Sequence, residues 1–215
     1  MEWNTALSAE WEQKVVEIER ERLKNLILGL LEMETNRPMP FRVVEIEEKR
    51  EVTLGGITVD VKVDRIDELD GGGLVLLDYK SGKPNVSQWE SERPDDPQVP
   101  IYATELGSRL AAAAFVQINS EETAFKGYAK KPGLLPTSVT NFEWMTEKRK
   151  PAPSFDEMLA NWRMTLQRLG EEFRAGRAAV DPKNGKKTCE LCHLGMLCRV
   201  SEARPEVGEE DEYGG

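Results

Sequence analysis

Residues 59–82, reading VDVKVDRIDELDGGGLVLLDYKSG, constrain the fold more than any other part of the chain. Two runs rich in β-branched and other apolar residues flank three consecutive glycines, Gly71 to Gly73. Glycine reaches the positive φ angles that tight hairpin turns require, so it is the usual residue between two paired strands. The segment therefore predicts an antiparallel β-hairpin.

The register of this hairpin decides which charged side chains meet. If the turn is centred on its first glycine, Asp64 lies opposite Asp78 and Lys62 lies opposite Lys80. Side chains alternate between the two faces of a strand, so Asp78 and Lys80 project from one face and Tyr79 from the other. The hairpin thus predicts two carboxylates and an ammonium group close together on one face.

Such a pair of carboxylates needs a physical explanation. At a separation of about 4 Å they repel by roughly 4 kcal/mol at an effective dielectric constant of about 20, unless one is protonated or a cation lies between them. Mg²⁺ binds to one or two carboxylates together with water and phosphate oxygens. A lysine beside it stabilises charge that develops on a phosphate. The alternative is an ordinary solvated strand face.

These residues resemble a known family. VDRID, with Asp64, and DYKSG, with Asp78 and Lys80, are similar to motifs of the PD-(D/E)XK nuclease superfamily in its RecB-like and AddB-like branch. PDDPQVPIYA resembles the glutamine-tyrosine motif of that branch, carried here by Gln98 and Tyr102. CELCHLGMLC resembles the C-terminal part of its iron–sulfur cysteine pattern. The motifs follow in the family's order and cover most of the chain.

The resemblance implies a restriction-endonuclease-like α/β fold, with a mixed sheet flanked by helices, and Mg²⁺- or Mn²⁺-dependent hydrolysis of DNA. The implied site residues are Asp64, Asp78, Tyr79, Lys80, Gln98 and Tyr102. Asp64 and Asp78 would hold the metal, with the backbone carbonyl of Tyr79. Lys80 would position or activate water, and the glutamine and tyrosine would orient metal, lysine or substrate. A glutamate in the family's first strand also assists the site, and Glu45 matches it loosely.

The function that the resemblance implies is an exonuclease of DNA repair or recombination that works with a helicase domain or subunit. One alternative is a catalytically impaired module of the same fold that binds DNA or a helicase partner. Another is a structural zinc-binding domain, which depends on the cysteines alone and leaves the DYK sequence unexplained.

Cys189, Cys192 and Cys198 lie within ten residues, a spacing that indicates a metal site rather than a disulfide framework. Zinc sites and four-iron clusters normally use four protein ligands. The family's fourth cysteine, with a catalytic histidine near it, lies upstream of the first helix, and neither is present here. His193, the only histidine, is expected to be a solvated loop residue. We therefore expect a 4Fe–4S cluster only in a longer form and interpret the chain as lacking its N-terminal part, or as a short homologue without a cluster.

Composition sets further bounds. With 215 residues, 39% of them hydrophobic and 32% charged, the chain fits one globular domain over residues 1–200. It has neither an apolar run of about 20 residues nor a signal-peptide pattern, so we expect a cytoplasmic location and no membrane partner. The net charge of −10 argues against nucleic acid binding. Residues 201–215 carry six acids and one arginine, which predicts an acidic disordered tail, whereas residues 124–151 and 174–199 each carry six basic and two acidic residues that could contact phosphates.

Local patterns predict the remaining elements. Apolar spacing favours a long packing helix over residues 7–33, and the following predictions complete the chain: a strand over 41–52, a turn at Gly55 and Gly56, a loop over 83–97, a helix capped by Asp95 and Asp96, strands over 110–119 and 123–129, a short strand over 141–145, and a helix that begins with the capping box at Ser154 and Glu157 and ends near Gly176.

Overall fold

The computed structural model describes residues 3–136, 139–141, 153–190 and 192–198. Its strands are β1 (Phe41–Ile46), β2 (Lys49–Leu54), β3 (Ile57–Lys62), β4 (Arg65–Leu69), β5 (Leu74–Lys80), β6 (Leu110–Ile118), β7 (Thr123–Ala129) and β8 (Thr140–Asn141). Its α-helices are α1 (Trp3–Thr35), α2 (Gln98–Leu106), α3 (Phe155–Arg174), α4 (Lys186–Cys189) and α5 (Gly195–Cys198), and 3₁₀ turns cover Val86–Trp89 and Gly107–Arg109.

A six-stranded mixed sheet has the strand order β1-β4-β5-β6-β7-β8. The pairs β1/β4, β4/β5 and β6/β7 are antiparallel, whereas β5/β6 and β7/β8 are parallel. Strands β2 and β3 form a separate antiparallel ribbon. The expected α/β fold with a mixed sheet and flanking helices is confirmed.

The glycine-centred hairpin has the expected register, but its first strand is shorter than expected. Arg65 faces Leu77 across the β4/β5 ladder, and Gly71 and Gly72 make the turn with positive φ angles of 106° and 93°. Lys62, however, ends β3 and pairs with Lys49 in the ribbon. Its placement opposite Lys80 was therefore wrong, because the chain passes from one sheet to the other between β3 and β4.

The prediction of one strand over residues 41–52 was also wrong. The chain turns at Glu47, which has a positive φ of 52°, and β1 joins the large sheet while β2 joins the ribbon. The backbone amide of Glu47 donates to the carbonyl of Asp64 at 3.0 Å. This long-range bond ties the break between β1 and β2 to the break between β3 and β4.

The large sheet separates two hydrophobic cores. Ile66, Leu76 and Phe115 face a first core that also contains residues from α2, α3 and the ribbon. Val75 and Leu77 face a second core that also contacts the C-terminal end of α1. Because side chains alternate along each strand, every second residue of the buried strands contributes to the same core. The candidate site lies where β5 emerges from the first core.

Helix α1 is longer than expected and packs over only part of its length. Leu30 and Met33 contact the second core, whereas every described side chain over residues 10–25 is exposed, including Trp11. Its predicted role as a packing helix thus holds only for its C-terminal turns. None of the helices in the described ranges combines the length and hydropathy that a membrane span requires.

Helix α3 begins with the predicted capping box. Ser154 N donates to the Glu157 carboxylate at 2.6 Å, and Glu157 N donates to the Ser154 hydroxyl at 3.2 Å. Trp162 lies on the buried stripe of this helix, but Phe173, expected on the same stripe, is exposed. The predicted acidic cap of α2 is wrong, because Pro97 occupies the N-cap position and no side chain caps the helix.

The chain divides into two compact units, residues 1–171 and residues 172–215. The assignment of residues 1–200 to one nuclease-like domain stays a prediction. Residues 201–215, predicted to be a disordered tail, lie outside the described residues, as do most of the residues of the predicted strand at 141–145.

A close approach between α3 and the ribbon turn yields a first prediction. A Cβ atom added at Gly170 would lie 2.2 Å from the carbonyl oxygen of Leu54. Alanine normally stabilises a helix interior relative to glycine by roughly 1 kcal/mol, but here we expect Gly170→Ala to destabilise the protein by about 1–3 kcal/mol through overpacking. Urea denaturation measures the change.

Gly29→Ala in α1 is the matched control. Its added Cβ atom would meet the Thr123 hydroxyl at 3.3 Å, and this side chain can rotate away. We expect no comparable loss of stability. Equal stability of the two variants would contradict the close packing of α3 on the ribbon.

Candidate active site

Strand β5 presents Asp78 and Lys80 on the face of the first core. Lys80 Nζ lies 2.9 Å from Asp78 Oδ2. Tyr79 projects from the opposite face, where its hydroxyl oxygen accepts a hydrogen bond from Arg65 at 3.0 Å. The alternation expected from the sequence therefore places the carboxylate and the ammonium group side by side.

Asp64 lies at the end of the β4/β5 ladder, one residue before β4 begins. Its Oδ2 atom accepts a hydrogen bond from the backbone N–H of Tyr79 at 2.7 Å. Its charge also acts on the neighbouring Asp78 carboxylate. The structure thus brings Asp64, Asp78 and Lys80 together at one end of the hairpin.

The Asp78 carboxylate is poorly solvated. Burial raises its pKa above the ordinary value; contact with Lys80 works against this shift, whereas the charges of Asp64 and Asp96 add to it. Its Oδ2 atom is buried and receives no hydrogen bond of acceptable geometry, so the short approach of Lys80 is a charge contact rather than an aligned hydrogen bond. A buried oxygen of this kind is costly unless another positive group satisfies it.

Asp96 is part of this cluster, although the sequence analysis assigned it only to a helix cap. Its Oδ2 atom lies 3.1 Å from Lys80 Nζ. Burial opposes the charge of Lys80, but contacts with Asp78 and Asp96 outweigh it and raise the pKa of the lysine. The one signal in the sequence is the position of Asp96 two residues before Gln98, within the glutamine-tyrosine motif.

Gln98 and Tyr102 project from α2 toward other parts of the frame. Gln98 Nε2 donates to the backbone carbonyl of Lys62, at the end of the strand that leads to Asp64. The Tyr102 hydroxyl donates to Glu45 at 3.4 Å. The hydrogen bonds described for these two residues thus run to β3 and β1 rather than to Asp78 or Lys80.

The environment of Tyr102 fixes its protonation state. The side chain is buried, and burial raises the pKa of its hydroxyl to about 12; the charge of Arg50 opposes this shift and that of Glu45 adds to it. Tyr102 is therefore a neutral hydrogen-bond donor near pH 7, not a base. Glu45 also forms an ion pair with Arg50, so the loosely matched glutamate links β1, β2 and α2.

A buried charge network supports the hairpin from the opposite face. The Asp67 carboxylate is fully buried and lies 2.5 Å from Arg37 and 2.6 Å from Arg65. Glu34 contacts both arginines, and the Arg37 guanidinium stacks 3.6 Å from the centroid of the Phe41 ring. The network joins the end of α1 to β4 and, through Arg65, to Tyr79 on β5. Sequence reasoning missed it, although charged residues that alternate with Ile66 in an otherwise buried strand were a signal.

The basic stretch over residues 124–151 is only partly described. Two of its lysines are engaged within the protein: Lys126 contacts Glu122 at 2.6 Å and Lys130 contacts Asp156 at 2.9 Å. Their ability to bind phosphates would require these contacts to exchange. Residues 142–152 lie outside the described ranges.

The three cysteines lie in the second unit as thiols without disulfide bonds. Cys192 N donates to the carbonyl of Cys189 at 3.0 Å, and Cys198 lies at the end of α5. His193 is exposed. Within the described ranges, no group of three or more His, Cys, Asp or Glu side chains is arranged to hold a metal ion.

Comparison with known proteins decides the family. Residues 2–199 match the sequence profile of the PD-(D/E)XK nuclease superfamily. The chain belongs to this superfamily. The glycine-centred hairpin with Asp64, Asp78 and Lys80 therefore corresponds to the part of a PD-(D/E)XK nuclease that gives the superfamily its name.

Two individual proteins show more distant similarity. One is a subunit of the ATP-dependent helicase/deoxyribonuclease of Alkaliphilus oremlandii (strain OhILAs), which is 22% identical over 215 residues that cover 77% of this chain and 18% of that protein. This chain thus corresponds to less than a fifth of that relative. A solved structure described as "Crystal structure of SSO0001" matches with a TM-score of 0.36 and 17% identity, over 90% of this chain and 80% of that one.

PD-(D/E)XK nucleases typically use divalent metal ions, and the geometry of this site fits such an ion. Asp78 Oδ2 is buried without a hydrogen bond, and Asp64 lies beside it. Two carboxylates suit Mg²⁺ or Mn²⁺, which complete their coordination with water and phosphate oxygens. A structural zinc site would require four protein ligands, and the described residues offer no such set.

The buried network yields a second prediction. Asp67→Ala leaves two arginines without their shared carboxylate, and removal of one partner from a buried ion pair typically costs about 3–5 kcal/mol. We expect a loss of this size in the free energy of unfolding, measured by urea denaturation. Glu68→Ala is the control, because its partner Arg42 is exposed and such surface pairs contribute about 0–1 kcal/mol. Similar losses in both variants would show that the network does not support the hairpin.

The electrostatics of Asp78 yield a third prediction. Its raised pKa means that ionisation is harder in the folded than in the unfolded protein, so the ionised carboxylate reduces stability above the folded-state pKa. In metal-free protein we expect Asp78→Asn to increase the free energy of unfolding at pH 7. The gain should vanish below the ordinary carboxyl pKa of about 3.9, where the parent side chain is protonated in both states.

Denaturation with a chelator present, at both pH values, measures this effect. Asp60→Asn on the exposed face of β3 is the control, and we expect it to leave stability unchanged at pH 7. Lower stability of Asp78→Asn at pH 7 would contradict the proposed cost of burying the carboxylate.

Proposed function

We propose that this chain is a metal-dependent DNA nuclease that hydrolyses phosphodiester bonds. The observation that carries the proposal is the contact of 2.9 Å between Lys80 Nζ and Asp78 Oδ2, with Asp64 beside them at the end of the same hairpin. Membership of a nuclease superfamily supports it. This combination of two carboxylates and a cation suits phosphate chemistry better than an exposed strand face, because the carboxylate oxygen is desolvated.

Each residue of the cluster has a distinct role in this proposal. Asp64 and Asp78 hold the divalent ion, together with the backbone carbonyl of Tyr79. When bound, the ion supplies Lewis acidity toward the phosphate and lowers the pKa of the attacking water. Lys80 remains protonated, and its ammonium group donates hydrogen bonds to the attacked phosphate or to the attacking water, which stabilises the negative charge that develops.

Gln98 and Tyr102 act on the frame of the site in this proposal. Gln98 fixes the end of β3, and Tyr102 holds Glu45 on β1. Both strands flank the segment that contains Asp64. The two side chains therefore orient the metal-binding carboxylate, and truncating either should disturb its position rather than remove a reacting group.

We further propose exonuclease action in DNA repair or recombination, in association with a helicase domain or subunit. The support is the relative named as part of an ATP-dependent helicase/deoxyribonuclease, of which this chain matches a small portion. The cysteine segment belongs to the same proposal as part of a cluster site that is complete only in a longer form.

A cleavage assay tests the function and gives a fourth prediction. We expect the parent chain to degrade end-labelled single- or double-stranded DNA with Mg²⁺ or Mn²⁺, and a chelator to stop the reaction. Asp78→Ala should abolish cleavage and weaken Mn²⁺ binding. Lys80→Ala should abolish cleavage but retain Mn²⁺ binding, because the carboxylates remain. Linear and covalently closed circular substrates distinguish exonuclease from endonuclease action.

Asp60→Ala, on the exposed face of β3, is the matched control and should cleave like the parent chain. Activity that survives Asp78→Ala or Lys80→Ala would contradict the assigned site. A parent chain that binds DNA without cleaving it would instead favour the alternative of a catalytically impaired binding module.

A further inference from the structure

Lys80 lies between two carboxylates that come from different parts of the fold. Its Nζ atom is 2.9 Å from Asp78 on the same strand and 3.1 Å from Asp96, which lies just before α2. A lysine side chain has a long flexible stem and a compact charge, so its position depends strongly on its ion-pair partners. Two partners on separate elements define the position of the ammonium group better than one.

The segment that presents Asp96 is anchored on both sides. Trp89, which precedes it, is fully buried, and the amide of Asp95 donates to the carbonyl of Gln88 at 3.2 Å. On the other side, Ile101 N donates to the carbonyl of Pro97 at 2.9 Å and begins the hydrogen bonding of α2. Asp96 is therefore held by an ordered backbone.

The direction of the Asp96 side chain is also informative. An aspartate at the start of a helix commonly caps the exposed backbone N–H groups. Here α2 has no side-chain cap, and the Asp96 carboxylate contacts Lys80 instead. The favourable local interaction is thus replaced by a contact with the candidate active site.

The two carboxylate partners of Lys80 are not equivalent. Asp78 is almost fully buried and adjoins Asp64 as a candidate metal ligand, whereas Asp96 is partly exposed and, within the described ranges, does not form a three-residue metal-binding group with them. A divalent cation at Asp64 and Asp78 would neutralise one partner of Lys80 and repel the ammonium group. Asp96 would then be its remaining anionic partner.

We propose that Asp96 is a positioning residue that keeps the Lys80 ammonium group beside the substrate phosphate when a divalent cation occupies Asp64 and Asp78. This inference rests on the proposed nuclease function. Without Asp96, the repelled lysine side chain moves toward solvent, while the two metal-binding carboxylates stay in place. Catalysis should therefore fail although the cation still binds.

Three substitutions test this role. Asp96→Asn removes the charge at nearly constant size, Asp96→Glu retains it, and Asp95→Asn makes the same change in charge at an exposed neighbour. We expect Asp96→Asn to lower kcat by about 10- to 100-fold, as is usual for groups that orient a metal site from outside its ligands. KM and the Mn²⁺ dissociation constant should change by less than about threefold. Asp96→Glu should recover part of kcat, and Asp95→Asn should resemble the parent chain.

A second measurement does not depend on cleavage. Acetylation of Lys80 by acetic anhydride, followed by mass spectrometry in the presence of Mn²⁺, reports how firmly the amine is held. We expect labelling several-fold faster in Asp96→Asn than in the parent chain or Asp95→Asn. Denaturation curves in the same buffer verify that each variant is folded.

The outcomes separate this inference from the proposed function. Unchanged kcat and unchanged labelling in Asp96→Asn would overturn the positioning role, and a loss of Mn²⁺ affinity as large as that of Asp78→Asn would make Asp96 a metal ligand instead. A parent chain that binds Mn²⁺ but does not cleave DNA would overturn the proposed function, and labelling would then decide the role of Asp96. A parent chain that binds no divalent cation would overturn both.

Discussion

The antiparallel pairing of β4 with β5 is the constraint on which the candidate site depends. A shift of one residue in this ladder would transfer every side chain to the other face, which would separate Asp78 and Lys80 from the first core. The glycine turn sets the register at one end, and the hydrogen bond from Tyr79 to Asp64 closes it at the other. Behind the strands, Asp67 joins Arg65 to Arg37, so the same ladder is also tied to α1.

This support makes it possible to hold a carboxylate in unfavourable surroundings. Asp78 loses its hydration, and the charges of Asp64 and Asp96 add to its cost, while Lys80 offsets part of it. Strongly perturbed ionisable groups are found most often at functional sites. In this chain the perturbed group lies on a strand that is buried from Leu74 to Asp78, so the fold rather than the local segment tolerates the unfavourable charge.

The ribbon and α2 contribute to the site indirectly. Both breaks in strand structure, at Glu47 and after Lys62, lie beside Asp64, and the bond between Glu47 and Asp64 joins them. Gln98 then fixes the last residue of β3. The carboxylate of Asp64 is consequently positioned by three separate elements, which explains why a motif on α2 can matter for a site on the hairpin.

The sequence by itself determined those features that depend on neighbouring residues. The glycine turn, the register of β4 and β5, the alternation of Asp78 and Tyr79, and the capping box of α3 follow from backbone conformations and periodicities that a short segment contains. The assignment of the superfamily likewise followed from short motifs in order. Only the tertiary structure decided that Lys62 pairs with Lys49, that Asp96 contacts Lys80 instead of capping α2, and that Asp67 joins two arginines. These contacts connect residues distant in sequence, and their free energy depends on burial and charge that exist only once the sheet and helices have packed together.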